Sequence, residues 1–155
     1  MLETWQKMNT EPVCFGTRDN QYGALRIPKS GRVKTIKLIY KSGGVNCNKD
    51  FTTYWGCDFE EYGNNGLLTV ITTANNETVM PPVEDLKSTT VCNKDFYNLV
   101  GTNRLSPELV FPDLSVPLSV SRNQELQIWY TQDMYNCSED NNSGKTCVDA
   151  YAWYA

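Results

Sequence analysis

The stretches ELQIWYT at residues 125–131 and CVDAYAWY at residues 147–154 decide the fold class, because each alternates two kinds of side chain along its length. Successive side chains of a β-strand point to opposite faces, so residues two apart share a face. In the second stretch, Val148, Ala150 and Ala152 form an aliphatic face that predicts contact with a core. The polar loop between the two stretches predicts that they pair as a terminal β-hairpin.

The other face of this predicted hairpin carries the aromatic side chains Trp129, Tyr151 and Trp153. Such a stripe either packs against another layer of the protein or binds a ligand through large, rigid rings. Strands that are buried on both faces are common inside β-sandwiches, so the pattern favours packing. Trp129 and Trp153 nevertheless remain candidate ligand-binding residues.

Turn signals separate several further short strand patterns between residues 24 and 121, and no segment shows the spacing of an amphipathic helix. The strongest of these patterns, residues 33–41, is rich in β-branched side chains, and Ser42-Gly43-Gly44 should end it. The sequence therefore predicts a single all-β domain over residues 1–155, with an antiparallel β-sandwich or jelly-roll-like fold over residues 21–155. Residues 1–20 should form an irregular N-terminal arm. Trefoil and open-barrel arrangements of the same strands stay open.

The six cysteines predict disulfides, because the chain has no CxxC spacing and no histidine that would indicate a zinc site. Two pairs of cysteines are each ten residues apart, which favours local bridges. The predicted bridges that staple the domain are Cys47–Cys57, Cys137–Cys147 and, by remainder, Cys14–Cys92. Six cysteines allow fifteen pairings, so this scheme is one of several.

The disulfides indicate an oxidising compartment, and we expect a secreted protein. Three Asn-x-Ser/Thr triplets point the same way, at Asn76, Asn136 and Asn141. The chain begins without a signal-peptide pattern, so we expect that a leader was removed and that Met1 was added for expression. The net charge of −4 and the absence of a Lys/Arg run argue against nucleic acid as a partner. No apolar run is long enough for membrane insertion.

Enzyme signatures are also missing from the sequence. Without histidine there is no Ser-His-Asp triad, and if all cysteines are paired there is no thiol nucleophile. Paired carboxylates hydrolyse glycosides, and Asp58, Glu60 and Glu61 are neighbours in the sequence. Acidic residues in a loop are usually only solvated, so we predict no catalytic residues and a protein that is not an enzyme.

Two regions are candidate recognition sites. The first contains Tyr54, Trp55, Asp58 and Tyr62, a mixture of rings and a carboxylate that suits a sugar ligand. The second is the C-terminal loop beside Trp129 and Trp153.

Acidic side chains around the C-terminal loop are weak candidates for calcium ligands, because calcium takes six to eight oxygen ligands. These are Asp133, Glu139, Asp140 and Asp149. The spacing of an EF-hand fails, since the twelfth position from Asp140 is Tyr151 rather than Glu. A solvated hydrophilic loop is the favoured interpretation, so no cofactor is predicted apart from this calcium candidate.

Several segments resemble small secreted β domains from cnidarians. They are NQELQIWY at 123–130, TCVDAYAWY at 146–154, LRIPKSGRV at 25–33 and GLLTVITT at 66–73. The size and the cysteine pattern resemble those of the cnidarins, cnidarian proteins that block viral entry. The resemblance implies a non-enzymatic protein that engages a viral envelope glycoprotein or the fusion machinery, and it carries no site residues with it.

The sequence thus predicts a secreted, non-enzymatic binding protein used in defence or recognition. The resemblance to the cnidarins implies an antiviral role through an envelope glycoprotein. Its partner should be a glycoprotein or a glycan. The alternatives are a glycan-binding, lectin-like module and a structural protein of the extracellular matrix. A glycan array separates these alternatives, because a matrix protein should bind none of its sugars.

Overall fold

The computed structural model describes residues 5–47 and 51–155, which form ten β-strands and two short helical segments. The strands are β1 (Gln6–Lys7), β2 (Val13–Gly16), β3 (Gly23–Arg26), β4 (Gly31–Asn46), β5 (Thr69–Thr73), β6 (Thr78–Met80), β7 (Glu108–Val110), β8 (Leu118–Val120), β9 (Glu125–Tyr130) and β10 (Ser143–Tyr154). The helical segments are a 3-10 turn at Val83–Asp85 and α1 at Thr131–Met134. Neither of these helices is long and apolar enough to cross a membrane.

The strands form two antiparallel sheets, which confirms the predicted all-β, antiparallel fold. In the six-stranded sheet the order is β1-β10-β4-β7, with β2 also paired to β10 and β8 also paired to β4. In the four-stranded sheet the order is β3-β9-β5-β6. Both sheets bury side chains in one apolar core, including Phe15 and Leu38 from the first sheet and Leu126 and Ile128 from the second.

The predicted terminal hairpin of β9 and β10 is wrong. β10 pairs with β4, whereas β9 lies between β3 and β5 in the other sheet. Residues 131–142 form α1 and a loop that carries the chain from one sheet to the other. The alternation of side chains did predict the buried face of β10 correctly, since Val148, Ala150 and Ala152 are fully buried. Periodicity specifies which face a side chain takes, not which strand pairs with it.

β4 does not end at Ser42-Gly43-Gly44 but runs on to Asn46. The pairing with β10 shifts register between Cys147 and Val148, where Lys41 of β4 has no residue of β10 directly opposite it. Gly43 has φ +79°, and a Cβ at this position would collide with the carbonyl oxygen of Lys145. Glycine therefore allows the backbones of β4 and β10 to approach closely across an irregularity, rather than ending the strand.

The predicted N-terminal arm is part of the six-stranded sheet over its described residues. β2 pairs with the first half of β10, with Val13 opposite Val148, and β1 pairs with the second half. Phe15 of β2 is fully buried in the core. The described part of the arm thus contributes two strands to the predicted single domain, rather than the irregular structure that the sequence predicted.

Only one of the three predicted disulfides is correct, Cys47–Cys57. Cys14 bonds to Cys147 rather than to Cys92. Cys14 on β2 and Cys147 on β10 lie directly opposite each other, with a Cα–Cα distance of 4.0 Å. Cys92 bonds to Cys137, which ties the loop before Asp95 to the loop after α1. The predicted Cys137–Cys147 bridge failed because the hairpin on which it depended does not exist.

Removal of the Cys14–Cys147 bridge by a double alanine substitution should lower the free energy of unfolding by about 5 kcal/mol, because the bridge closes a loop with a sequence separation of 133. The matched removal of Cys47–Cys57, with a separation of 10, should cost about 3 kcal/mol. Urea unfolding of both variants measures the two losses. A larger loss for the short bridge would contradict the connectivity argument.

Candidate functional site

The aromatic side chains predicted at residues 54–62 belong mainly to the core. Trp55 is fully buried, and its Nε1–H donates to the carbonyl oxygen of Ser106 at 2.7 Å. Tyr54 is half-buried and stacks on Tyr40, with ring centroids 3.7 Å apart. Tyr62 is buried, and its ring meets those of Phe59 and Phe96 edge-to-face, with centroids 6.2 and 5.2 Å away. Sugars stack on exposed ring faces, so Trp55 and Tyr62 do not offer the predicted stacking surface.

Trp129 and Trp153 do not form one stripe, because their strands belong to different sheets. Trp129 is buried, packs 5.1 Å from the ring of Tyr22 and donates its Nε1–H to Gln127 Oε1 at 2.9 Å. Trp153 is half-buried and meets Trp5 edge-to-face, with centroids 5.1 Å apart. These contacts agree with the packing interpretation of both rings.

Asp58 lies beside the Cys47–Cys57 bridge, with an oxygen 3.5 Å from Cys47 Sγ. Within the described ranges, these three residues are the one group of metal-binding side-chain types whose ligand atoms lie within 4.8 Å of one another. Both sulfurs are tied up in a disulfide, so neither can act as a thiolate ligand. The group therefore does not favour a metal.

The structure separates Asp149 from the other three acidic candidates. Asp149 lies on β10, and its carboxylate is 3.6 Å from Lys7 Nζ and 3.7 Å from Lys41 Nζ. It also accepts a hydrogen bond from Asn9 Nδ2 at 3.1 Å. Two lysines already neutralise this carboxylate, so it is not available to a calcium ion together with Asp133.

Asp133 and Glu139 come together with a residue that the sequence did not indicate, Asp19. We call Asp19, Asp133, Glu139 and Asp140 the acidic cluster. The carboxylate of Asp133 is buried and accepts the backbone N–H groups of Asn20 and Gln21, each at 2.9 Å. The turn between β2 and β3 therefore closes onto α1. Asp19 and Asn20 both have positive φ in this turn, and the Asp19 carboxylate lies near enough to Glu139 to interact with it electrostatically.

Negative charge is crowded in the acidic cluster. Burial raises the pKa of Glu139, and the carboxyl groups of Asp133, Asp19 and Asp140 raise it further. Arg18 provides partial compensation, with its Nε 3.7 Å from Asp19 Oδ2. Among the described residues, neither Asp133 nor Glu139 has an ion pair.

Buried oxygen atoms without hydrogen-bond partners lie on the segments that carry the acidic cluster. They are Thr17 Oγ1, Glu139 Oε2 and Asn142 Oδ1, considering the described residues alone. Asn142 is fixed in orientation, because its Nδ2 donates to Thr17 O at 3.1 Å and to Gln132 Oε1 at 2.9 Å. Most buried polar atoms in folded proteins have a partner, so several such oxygens beside crowded carboxylates form a set of ligand atoms that suits a cation or a water.

A polar network links the acidic cluster to the protein interior through Asn142, Gln132, Tyr62 and Asp95. Gln132 Nε2 donates to Tyr62 Oη at 2.9 Å, and Tyr62 Oη in turn donates to the Asp95 carboxylate. Burial, and then the Asp95 carboxylate, raise the pKa of Tyr62. Burial also raises the pKa of Asp95. The network therefore contains a carboxyl group whose ionised form the fold penalises.

Substitution of Asp95 by Asn should remove a pH dependence of stability. Because burial raises the pKa of Asp95, the folded protein holds this proton more tightly than the unfolded chain does. The wild type should therefore lose stability relative to Asp95→Asn as pH rises from about 4, the ordinary aspartate value, to the raised native pKa, with no further change above it. Denaturant unfolding of both proteins from about pH 3 to about pH 8 measures this difference. A difference independent of pH would contradict the assignment.

No protein-family model matches the chain, and no curated protein sequence matches it detectably. Among solved structures, the chain is similar to AJLec, a lectin-like protein from the sea anemone Anthopleura japonica. The two share 31% sequence identity and a TM-score of 0.87, over 99% of this chain and 98% of that chain. The resemblance to small cnidarian β domains is confirmed at this level, and the narrower resemblance to the cnidarins stays a prediction. By this full-length likeness, the chain belongs to the family of AJLec.

Proposed function

We propose that this protein is a carbohydrate-binding, lectin-like domain that binds its glycan in a calcium-dependent manner at the acidic cluster. The observation that carries glycan binding is the full-length likeness to AJLec. The three disulfides support an extracellular location, since such bridges persist in oxidising compartments.

The oxygen atoms around the acidic cluster fit a calcium ion by type. Calcium prefers carboxylate, carbonyl and hydroxyl oxygens, and it tolerates irregular geometry with six to eight ligands. Asp133 and Glu139 would contribute carboxylates, whereas Thr17 and Asn142 would contribute their orphaned oxygens. A divalent cation would also relieve the repulsion that raises the pKa of Glu139. Asp149 is not part of this site.

The chemistry at the surface of such a site suits a sugar. Asp140 is exposed and Glu139 is half-buried at the outer side of the cluster. Carboxylates accept hydrogen bonds from vicinal hydroxyl groups, and a bound calcium ion has room for hydroxyl oxygens that the protein does not supply. Recognition would thus depend on polar groups rather than on the buried rings of Trp55 and Trp129.

A glycoprotein is the natural carrier of such a glycan. The resemblance to the cnidarins extends this to a viral envelope glycoprotein, and we propose a role in defence through binding of its sugars. Inhibition of pseudovirus entry by the wild type, reversed by free competing sugar, tests this extension separately from glycan binding itself.

Calcium should bind to the wild type and raise its thermal stability. Extracellular calcium modules have dissociation constants of about 10⁻⁴–10⁻³ M. Calcium at about a hundredfold excess over that constant should stabilise the fold by about 2.7 kcal/mol. Glu139→Gln should abolish the effect, whereas Glu84→Gln, an exposed glutamate of the 3-10 turn, should retain it. Calorimetric titration without heat, together with an unchanged melting temperature, would overturn the proposed calcium site.

Glycan binding should require the same carboxylates. On a glycan array, the wild type with calcium should bind a defined subset of sugars, and EDTA should remove the signal. Asp133→Asn and Glu139→Gln should reduce binding at least tenfold, because each removes one charged ligand of the cation. Glu84→Gln should bind as the wild type does. Silence across the array for every protein would favour a structural matrix role instead.

A further inference from the structure

A second surface with the chemistry of a sugar-binding site lies away from the acidic cluster. It is a cleft of about 790 Å³ between the turn at residues 63–65 and the loop at residues 98–103. Gly63 (φ +68°) and Gly101 (φ +80°) form the turns on its two sides. Tyr62 also borders the cleft, although its side chain is buried and its hydroxyl belongs to the polar network.

The lining of this cleft is rich in side-chain amides and carries no carboxylate, ammonium or guanidinium among its described residues. The amides belong to Asn64, Asn65, Asn98 and Asn103. A carboxamide both donates and accepts hydrogen bonds, which is the pattern that hydroxyl and acetamido groups require. The fully exposed Val100 adds an apolar contact for the C–H face of a sugar ring. We call this surface the amide cleft.

Two of the amides are free to bind a ligand. The side chains of Asn64 and Asn65 are exposed, and among the described residues they have no hydrogen-bond partner. By contrast, Asn98 is anchored, since its Oδ1 accepts from Lys87 Nζ at 2.7 Å and its Nδ2 donates to Asn65 O at 2.9 Å.

The backbone around the amide cleft is held in place before any ligand binds. Leu67 and Tyr97 exchange two backbone hydrogen bonds, at 2.9 and 3.0 Å. Arg104 N donates to Asn64 O at 3.2 Å, which ties the end of the 98–103 loop to the turn at residues 63–65. A preformed cleft loses less conformational entropy on binding than a loose one, so even a few hydrogen bonds give measurable affinity.

The dimensions favour an oligosaccharide over a single sugar. The cleft is at the upper end of the range for small-molecule sites. A neighbouring groove of about 270 Å³ shares Asn64 and Asn103 and continues past Arg104. The guanidinium of Arg104 is already engaged, donating to Cys57 O at 3.1 Å and lying 5.0 Å from the ring of Phe51. The neighbouring groove therefore adds one cation whose donors are partly engaged, whereas the lining of the amide cleft itself carries no charged side chain.

We propose that the amide cleft is a second sugar-binding surface, which takes a neutral oligosaccharide independently of calcium. The proposal rests on the proposed function in its choice of ligand class, but it uses none of the residues of the acidic cluster. Two separate sugar-binding surfaces on one chain would allow it to bridge glycans or to bind a dense glycoprotein with avidity.

The test uses the full chain in EDTA, with chitotetraose, cellotetraose and lacto-N-neotetraose as probes beside their monosaccharides. In proton–nitrogen correlation spectra, the side-chain amide signals of Asn64 and Asn65 should shift with at least one tetrasaccharide and much less with its monosaccharides. The double variant Asn64→Ala/Asn65→Ala should weaken that binding about tenfold, through the loss of two hydrogen bonds. Asn75→Ala, in the exposed turn between β5 and β6, should bind as the wild type does.

The outcomes separate the two sites. Shifts at the amide cleft that persist in Glu139→Gln support the proposal, whether or not calcium-dependent binding is found. If calcium-dependent glycan binding is found but no probe shifts the cleft amides, the proposal is overturned while the proposed function stands. Unchanged affinity in the double alanine variant, with its spectrum otherwise native, overturns the proposal as well.

Discussion

The long antiparallel pairing of β4 with β10 is the constraint on which the rest of the structure depends. Its register runs from Ser143 opposite Asn46 to Tyr154 opposite Val33, so it joins the C-terminal strand to the first third of the chain. The other edge of β10 then holds β1 and β2, and Cys14–Cys147 closes that edge covalently. Because β10 begins at Ser143 and β2 ends at Gly16, the loops that carry the acidic cluster leave the sheet at one common end.

Polar side chains replace the apolar core near that end. Asp95, Gln132, Asp133 and Asn142 are all buried, and hydrogen bonds through Tyr62 connect most of them. Such a network rigidifies the loops when its groups are satisfied and destabilises the fold when they are not. The oxygens of Thr17, Glu139 and Asn142, like Asp95 Oδ1, are the buried atoms of the described residues that no protein group satisfies. The amide cleft differs, since its free polar groups are exposed to solvent and cost little.

The sequence predicted what depends on local pattern and missed what depends on partners distant in the chain. Alternation identified the buried face of β10, and the spacing of ten identified Cys47–Cys57. No local signal reveals that β9 and β10 enter different sheets, and the disulfides of Cys14 and Cys92 follow from that topology. Composition indicated Asp133 and Glu139, but Thr17 and Asp19 join them only because β2 pairs with β10. The burial of Trp55 and Trp129 likewise reflects packing that a list of aromatic residues does not contain.

Hydrogen–deuterium exchange read residue by residue tests the central role of the β4–β10 pairing most directly. Amides in the ladder between these strands should be the slowest to exchange in the molecule, because they open only with global unfolding. Amides at residues 98–103 and 135–142 should exchange orders of magnitude faster. Exchange of β10 at the rate of these loops, with β3, β9 and β5 still protected, would contradict the account.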